Sequence, residues 1–209
     1  MTKITGTIIT LNAEKYILRA IESLKNISDE IIVLDSKSTD STRDIAKSAG
    51  AKVYTQEFLG DGLQKKEASN FASNSWIFSL DADEYLDQDL IDFIKKTDLS
   101  NISYDSFAFR RKNYCADEWI KAAGFYPDYV TRLYDKSRVN YDSRADHAAI
   151  VSKNTLKTNC HIVHTTYESM AEWVDKMNFR SSMSARQLYR DGVMPVSYTH
   201  LTLPTICSV

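Results

Sequence analysis

The chain has 209 residues, 43% hydrophobic and 26% charged, enough apolar material for one domain, with room for a small appendage. With 26 Lys and Arg against 28 Asp and Glu the formal net charge is -2, so no global basic field serves nucleic acid and any anion site has to be local. Three widely spaced cysteines (Cys115, Cys160, Cys207) suit neither a disulfide framework nor a zinc site, no run is long enough to cross a bilayer, and the first residues lack a signal peptide's apolar stretch; a cytoplasmic setting is the expectation.

Ile4 to Leu11 is apolar and β-rich, and Asn12 is placed to cap a helix whose Ile17, Ala20, Ile21 and Leu24 recur at i, i+3, i+4 and i+7. Ile31 to Leu34 is a continuous apolar run, typical of a strand buried on both faces. The polar loop Asp35 to Asp40 precedes a helix with Ile45, Ala46 and Ala49 inward, stopped by Gly50. Lys52 to Thr55 reads as a short strand, Gly60 to Gly62 as a loop, and Gln64 to Ala72 as a helix. Trp76 to Leu80 is another buried strand and runs straight into Asp81-Ala82-Asp83-Glu84; Asp87 to Lys96 is a helix with Leu90, Ile91 and Ile94 inward. This alternation predicts an α/β fold: a mainly parallel sheet covered by helices on both faces, with ligands at the carboxyl ends of its strands.

The second half changes character. Ser106 to Arg111 and Tyr129 to Tyr134 read as strands, with an aromatic-rich loop or short helix between them over Tyr114 to Pro127. Val139 to Val163 is irregular with strand-like pieces, and Ser169 to about Tyr189 is a helix with Met170, Trp173, Val174 and Met177 on one face. No repeat or linker separates the halves, so residues 1–195 read as a single domain with halves at 1–97 and 98–195. Val196 to Leu201 looks like a translated sequencing adapter; residues 196–209 are therefore set apart, and the native chain is expected to continue differently.

Chemistry concentrates at the strand ends. Asp81 and Asp83 flank the small Ala82, and in extended backbone residues i and i+2 point the same way. Two carboxylates so placed converge on one hard cation, or divide between a metal and a sugar hydroxyl; Mg²⁺ and Mn²⁺ favour such oxygen ligands and share them with diphosphates. The bland alternative is a solvated acidic turn, which the position at the end of an apolar strand disfavours. Thr10, Leu11 and Asn12 end the first strand, Asp35 and Ser36 the second, and both loops are placed either to hold a nucleoside or, through Asn12 and through Thr39 or Asp40, to cap the helices that follow. Lys65 is placed either to reach a phosphate or to lie on a solvated helix face. No G-x-G-x-x-G follows the first strand and no G-x-x-x-x-G-K-[ST] or G-x-S-x-G occurs, which argues against dinucleotide oxidoreductases, Walker-type NTPases and serine hydrolases.

With these residues in hand, the chain resembles the family 2 glycosyltransferases of the GT-A fold, nearest the bacterial branch acting on lipopolysaccharide or lipooligosaccharide cores. The stretches that carry the resemblance are Ile8 to Asn12, Glu30 to Thr42, Gly62 to Lys66, Trp76 to Glu84, Tyr126-Pro127-Asp128 with Arg132-Leu133, and His164 to Tyr167. The resemblance implies that Thr10 to Asn12 and Asp35 hold the nucleoside of a UDP-sugar, that Asp81 touches ribose or metal, and that Asp83 ligates Mg²⁺ or Mn²⁺ on the diphosphate. It places His164 near the diphosphate as a further metal ligand and implies inverting transfer to a saccharide or lipid-linked saccharide acceptor. Two departures stand out: Ala13 follows Asn12 where the family often has Glu, and Ala148 follows His147 where it often has Glu.

Inverting transfer needs one general base. Asp128, in a loop flanked by Phe125, Tyr126 and Tyr129 that is expected to line a sugar site, is the first choice; Asp146 is the runner-up. Arg110, Arg111 and Arg132 read as surface ion pairs or as contacts to an anionic acceptor. Trp119, Phe125 and Tyr126 read as sugar platforms or as core. The basic, apolar-faced helix after Ser169 allows peripheral contact with the inner face of the plasma membrane, although Glu172 and Asp175 dilute its charge and favour a packing role. Two rival functions remain: a metal-dependent nucleotidyltransferase, which usually carries a Gly-rich basic loop where Leu11 to Glu14 stand, and a nucleotide-sugar-binding module without turnover.

Overall fold

The computed structural model describes residues 2–122, 124–142, 148–167, 169–190 and 192–193. Asp146, His147 and the segment 196–209 lie outside the described residues. The chain divides into two compact units, Met1–Thr166 and Tyr167–Val209.

The first unit begins with β1 (Ile4–Thr10), α1 (Ile17–Leu24), β2 (Glu30–Asp35), α2 (Thr42–Ser48), β3 (Lys52–Thr55), α3 (Asp61–Asn70) and β4 (Trp76–Asp81). It continues with β5 (Glu84–Leu86), α4 (Gln88–Lys96), β6 (Ser106–Cys115), β7 (Glu118–Trp119), β8 (Asp128–Asp135) and β9 (Thr155–Tyr167). All the strands join one sheet in the order β3-β2-β1-β4-β8-β6-β9-β5, with β7 paired to β6. The β3-β2-β1-β4 half is parallel, so Thr10 sits opposite Asp35 and Ile9 opposite Asp81 at one common edge. The pairings of β8 with β4 and β6, of β5 with β9 and of β7 with β6 are antiparallel, so the parallel order is confined to the amino-terminal half.

Burial follows the apolar periods. Ile17, Ala20, Ile21 and Leu24 form the buried stripe of α1, and Leu90, Ile91 and Ile94 that of α4. They meet Ile8, Val33, Phe78 and Leu80 from the parallel strands and Phe107, Phe109 and Leu133 from the antiparallel ones in one core. Phe78 stacks on Phe109 at 5.7 Å, and Phe93 of α4 meets both Phe107 and Phe109 edge-on. At Gly6 the packing is closest: a Cβ there would lie 3.0 Å from Leu24 Cδ1 and 3.1 Å from Ser28 Oγ.

The amino-terminal edge of the parallel strands is tied by one carboxylate. Glu30 accepts from Thr5 Oγ1 (2.9 Å), Lys52 Nζ (2.6 Å), Ser73 N (2.8 Å) and Ser73 Oγ (3.0 Å), linking β1, β2, β3 and the approach to β4.

Some elements depart from expectation. Asn12 does not cap α1, whose N-cap is Tyr16; it takes φ 50°, a left-handed conformation asparagine tolerates, and accepts from Thr39 N instead. The helix expected from Gln64 starts at Asp61. The aromatic segment after Tyr114 turns back through β7, and the irregular stretch ends in the 13-residue β9. Lys157, Thr158 and Asn159 hide that strand in the sequence, and its place between β6 and β5 overrides their weak strand preference.

In the second unit, α5 (Met170–Arg190) begins with Trp173 stacked on Tyr167 at 5.4 Å and Lys176 paired to Glu172 at 2.7 Å. Met170, Val174 and Met177, expected to pack, are exposed. Among the described residues no helix is long and apolar enough to cross a membrane.

Candidate active site at the strand ends

The loops after β1 and β2 are zipped to each other. Asn12 N donates to Ser38 Oγ, Ala13 N to Thr42 Oγ1 and Glu14 N to Asp40, while Thr39 N donates to Asn12 Oδ1 and Ser41 N to Glu14. Asp35 Oδ2 accepts from Ser38 N at 2.8 Å, and Ser36 is held by Gln64 Nε2 on Ser36 Oγ at 3.1 Å. Two atoms are left over: Thr10 Oγ1 and Asp35 Oδ1 are buried and have no hydrogen-bond partner among the described residues. Buried polar atoms are nearly always paired, so two orphans on residues in register at one strand edge mark a place for a polar ligand edge. Leu11, in contrast, is exposed.

After β4 the two aspartates take different partners. Asp81 is gripped by Lys65 Nζ at 3.0 Å and Arg132 Nη2 at 2.5 Å. Burial works to raise its pKa, but the Arg132 and Lys65 charges overcome that and hold the carboxyl well below the usual range. Lys65 is buried rather than on a solvated helix face: its stem is covered and its ammonium lies 3.1 Å from Asp61 as well as on Asp81. Desolvation opposes its charge, and Asp81 with smaller help from Tyr141 and Asp61 outweighs it, so its pKa is raised. Arg132 also binds the fully buried Glu84 at 2.6 Å, and Glu84 accepts from Arg111 Nη1 at 3.2 Å. Arg111 in turn holds Asp128 Oδ2 through Nε and Nη2, each at 2.8 Å. One unbroken chain of charges therefore runs Lys65, Asp81, Arg132, Glu84, Arg111, Asp128. Arg111 and Arg132 are thus members of a largely buried network and not surface pairs.

Ala82 packs toward the core. Asp83, on the other side of the chain, lies with its Oδ2 3.4 Å from His164 Nε2, because β5 and β9 pair Glu84 with His164. A carboxylate oxygen and an imidazole nitrogen are a donor set that suits Mn²⁺, and Mg²⁺ through the oxygen. Asn113 joins His164 to Asp128: its Oδ1 is 2.8 Å from His164 Nδ1, and its Nδ2 donates to Asp128 Oδ2 at 3.2 Å and to Phe125 O at 3.1 Å. Among the described residues the hydrogen bonds and ion pairs of the Asp128 carboxylate all fall on Oδ2, and its side chain is partly exposed.

Beside Asp128, Trp119 meets Tyr126 edge-on at 5.1 Å, and Tyr126 stacks on His161 and hydrogen-bonds it at 3.1 Å. None of these rings belongs to the main core. His161 Nδ1 is held by Asp89 at 2.6 Å, and Arg110 reaches Tyr129 and Tyr126. Asp87, Asp89 and His161 lie close enough to share an ion, but Lys112 already neutralises Asp87 at 2.6 Å.

From sequence, Glu84 and Asn113 carry no role of their own, and Arg111 reads only as a surface pair or an acceptor contact. A signal for two of them exists in β6: Phe107 and Phe109 face the core, and the same face continues as Arg111 and Asn113. A core-facing row that turns polar at one end is a row leaving the core to line a site.

Residues 7–158 match glycosyl transferase family 2. The chain is 37% identical over 206 residues to an uncharacterized glycosyltransferase of Rickettsia typhi, covering 92% of this chain and 70% of that protein. It is 28% identical over 216 residues to the lipopolysaccharide core biosynthesis glycosyltransferase LpsC of Rhizobium meliloti, covering 97% and 78%. Among solved structures it resembles S. aureus TarS 1-349 in complex with UDP-GlcNAc, with a TM-score of 0.57 at 16% identity, covering 81% of this chain and 61% of that one. The fold is thus shared with a TarS fragment of which the chain spans about three fifths, and the family match extends over most of its own length. The chain belongs to glycosyl transferase family 2.

Proposed function

We propose that the protein moves a sugar from a nucleoside-diphosphate sugar, with UDP the expected nucleotide, to a saccharide or lipid-linked saccharide acceptor in cell-envelope polysaccharide synthesis. Thr10, Asn12, Asp35 and Ser36 bind the nucleoside, and Asp83 and His164 hold a divalent ion, Mn²⁺ or Mg²⁺, that stabilises the departing diphosphate when bound. The single observation that carries this reading is the Asp83–His164 pair, 3.4 Å apart at the end of β4. The orphaned Thr10 Oγ1 and Asp35 Oδ1 at the neighbouring strand ends support it, as do the name of LpsC and the UDP-GlcNAc complex of TarS.

The acceptor hydroxyl oxygen attacks the anomeric carbon, the bond from that carbon to the diphosphate oxygen breaks on the opposite side, and the configuration inverts. The hydroxyl proton goes to Asp128 Oδ1 while Arg111 and Asn113 hold Oδ2. Lys65 and Arg132 keep Asp81 ionised at the lip of the cleft, where it shapes the donor pocket. Trp119 and Tyr126 offer aromatic faces to the acceptor sugar. The reaction takes place on the cytoplasmic side, and the exposed Met170, Val174 and Met177 of α5 support contact with a membrane that carries the acceptor.

The test is a panel of nucleotide-sugars, with and without Mn²⁺, read by thermal shift and by release of nucleoside diphosphate. Stabilisation that needs both ligands, with turnover, supports the reading; release of pyrophosphate indicates nucleotidyl transfer, and binding without turnover indicates a donor-binding module. Asp128→Asn is expected to keep donor stabilisation and lose about 10²–10⁴-fold in turnover. Near-normal turnover removes Asp128 from the mechanism.

A further inference from the structure

We propose that Asn113 is a positioning residue that fixes the tautomer of His164 and, with the same amide, the orientation of the Asp128 carboxylate. The inference rests on the reading above, in which His164 faces the ion and Asp128 takes the proton.

Asn113 stands on β6, whose neighbours in the sheet are β8, which opens with Asp128, and β9, which carries His164. Its side chain is buried and reaches both. The amide has two N–H donors on one end and a two-lone-pair acceptor on the other. The nitrogen end meets Phe125 O at 3.1 Å and Asp128 Oδ2 at 3.2 Å, both obligate acceptors. Turning the amide over would set its oxygen against a carbonyl and a carboxylate, so its orientation is determined by its surroundings. Asn113 Oδ1 is therefore an acceptor, and the 2.8 Å contact to His164 Nδ1 requires that nitrogen to carry the hydrogen. A neutral imidazole protonated at Nδ1 has its lone pair on Nε2, the nitrogen that faces Asp83 Oδ2. A histidine with the opposite tautomer would present N–H on that side and could not ligate. One buried amide thus prepares the imidazole for a cation and pins the base, so the two halves of the chemistry share a single orienting group.

Two substitutions separate the two tasks. Asn113→Asp keeps an acceptor for His164 but removes the donor and sets a second carboxylate against Asp128. Asn113→Leu removes both contacts at similar volume. The primary measurement is the long-range ¹⁵N spectrum of the histidines in the metal-free wild type at about pH 8.5, where an ordinary imidazole is neutral, with His164 assigned by His164→Gln. An Nδ1–H tautomer for His164 is expected in the wild type, shifting toward Nε2–H in Asn113→Leu. An Nε2–H tautomer in the wild type overturns the proposal, as does an unchanged tautomer in a folded Asn113→Leu protein. Mn²⁺ titration by electron paramagnetic resonance is expected to show about 10–100-fold weaker binding in Asn113→Leu. Asn113→Asp is expected to bind Mn²⁺ within a few-fold of wild type while kcat falls and the donor KM holds. Equal loss of Mn²⁺ affinity in the two variants contradicts the division of tasks. If Asn113→Leu does not fold, the wild-type spectrum alone decides. The tautomer is read without metal or substrate, so wild-type protein that neither binds Mn²⁺ nor turns over removes the functional reading and leaves the assignment of Asn113 to the spectrum.

Discussion

Arg132 is the residue on which the charged chain turns. Its Nη2 serves both Asp81 and Glu84, and Glu84 is completely covered. Desolvation opposes the guanidinium charge, and Asp81 and Glu84 outweigh it, so Arg132 stays charged at any accessible pH. Removing one partner of such a cluster leaves a buried charge uncompensated, which typically costs about 3–5 kcal/mol. Arg132→Met is expected to lower the urea midpoint by a loss of that order, and Arg132→Lys by less, because an ammonium keeps the charge but not the planar fork. A loss below about 1 kcal/mol in the methionine variant would mean that water relaxes the cluster. At this scale the sequence was legible only in part. Asp81 and Asp83 announce themselves by their spacing after an apolar strand. Nothing in that spacing says that one carboxylate meets cations and the other an imidazole, because that division is set by Lys65, Arg132 and His164, which lie 16, 51 and 81 residues away from the aspartates they meet. Glu84 reads as a fourth member of an acidic turn until Arg132 and Arg111 are folded against it.

Elements with a strong apolar period were readable; those held by their neighbours were not. α1 and α4 carry their buried stripes in plain sequence, and β2 and β4 their apolar runs. β9 has no such run in its first half, and α3 buries Gln64 and Lys65, so its inner face is polar and its start was misplaced by three residues. The contact between β1 and α1 gives a direct check on element packing. Gly6 leaves room for a hydrogen only, since a Cβ would already touch Leu24 and Ser28. Gly6→Val adds a branched side chain to that gap and is expected to lower stability by about 1–3 kcal/mol, measured by thermal or urea unfolding. An unchanged midpoint would show that α1 shifts away from the sheet without penalty.

Glu30 acts on the whole molecule because it ties three strands and the approach to a fourth at the amino-terminal edge of the sheet. Burial works to raise its pKa, but Lys52, the Ser73 backbone and the Thr5 and Ser73 hydroxyls together lower it from 4.5 to about 2. A carboxyl whose folded value lies below its unfolded one stabilises the fold above the unfolded value, and that contribution is lost as pH falls through the folded value. The window is therefore between 4.5 and about 2, and the contribution is at most about 3 kcal/mol, reduced by the exposure of Lys52. Glu30→Gln is expected to be less stable at neutral pH and to show a shallower loss of stability across that window in acid unfolding. Parallel wild-type and variant curves would assign the acid sensitivity elsewhere.

β9 places two histidines three positions apart, and alternation along a strand sends them to opposite faces: His161 to Asp89 and Tyr126, His164 to Asn113 and Asp83. The segment therefore behaves like a toothed rack, whose pitch matters more than the identity of most of its teeth. Adding or deleting one residue in it ahead of His161 would turn both imidazoles to the wrong faces at once and present Val163 or Thr165 where the His164 nitrogen is needed, and a change between the two histidines would put both on one face. Viable length changes in descendants of this chain are thus confined to positions outside that rack.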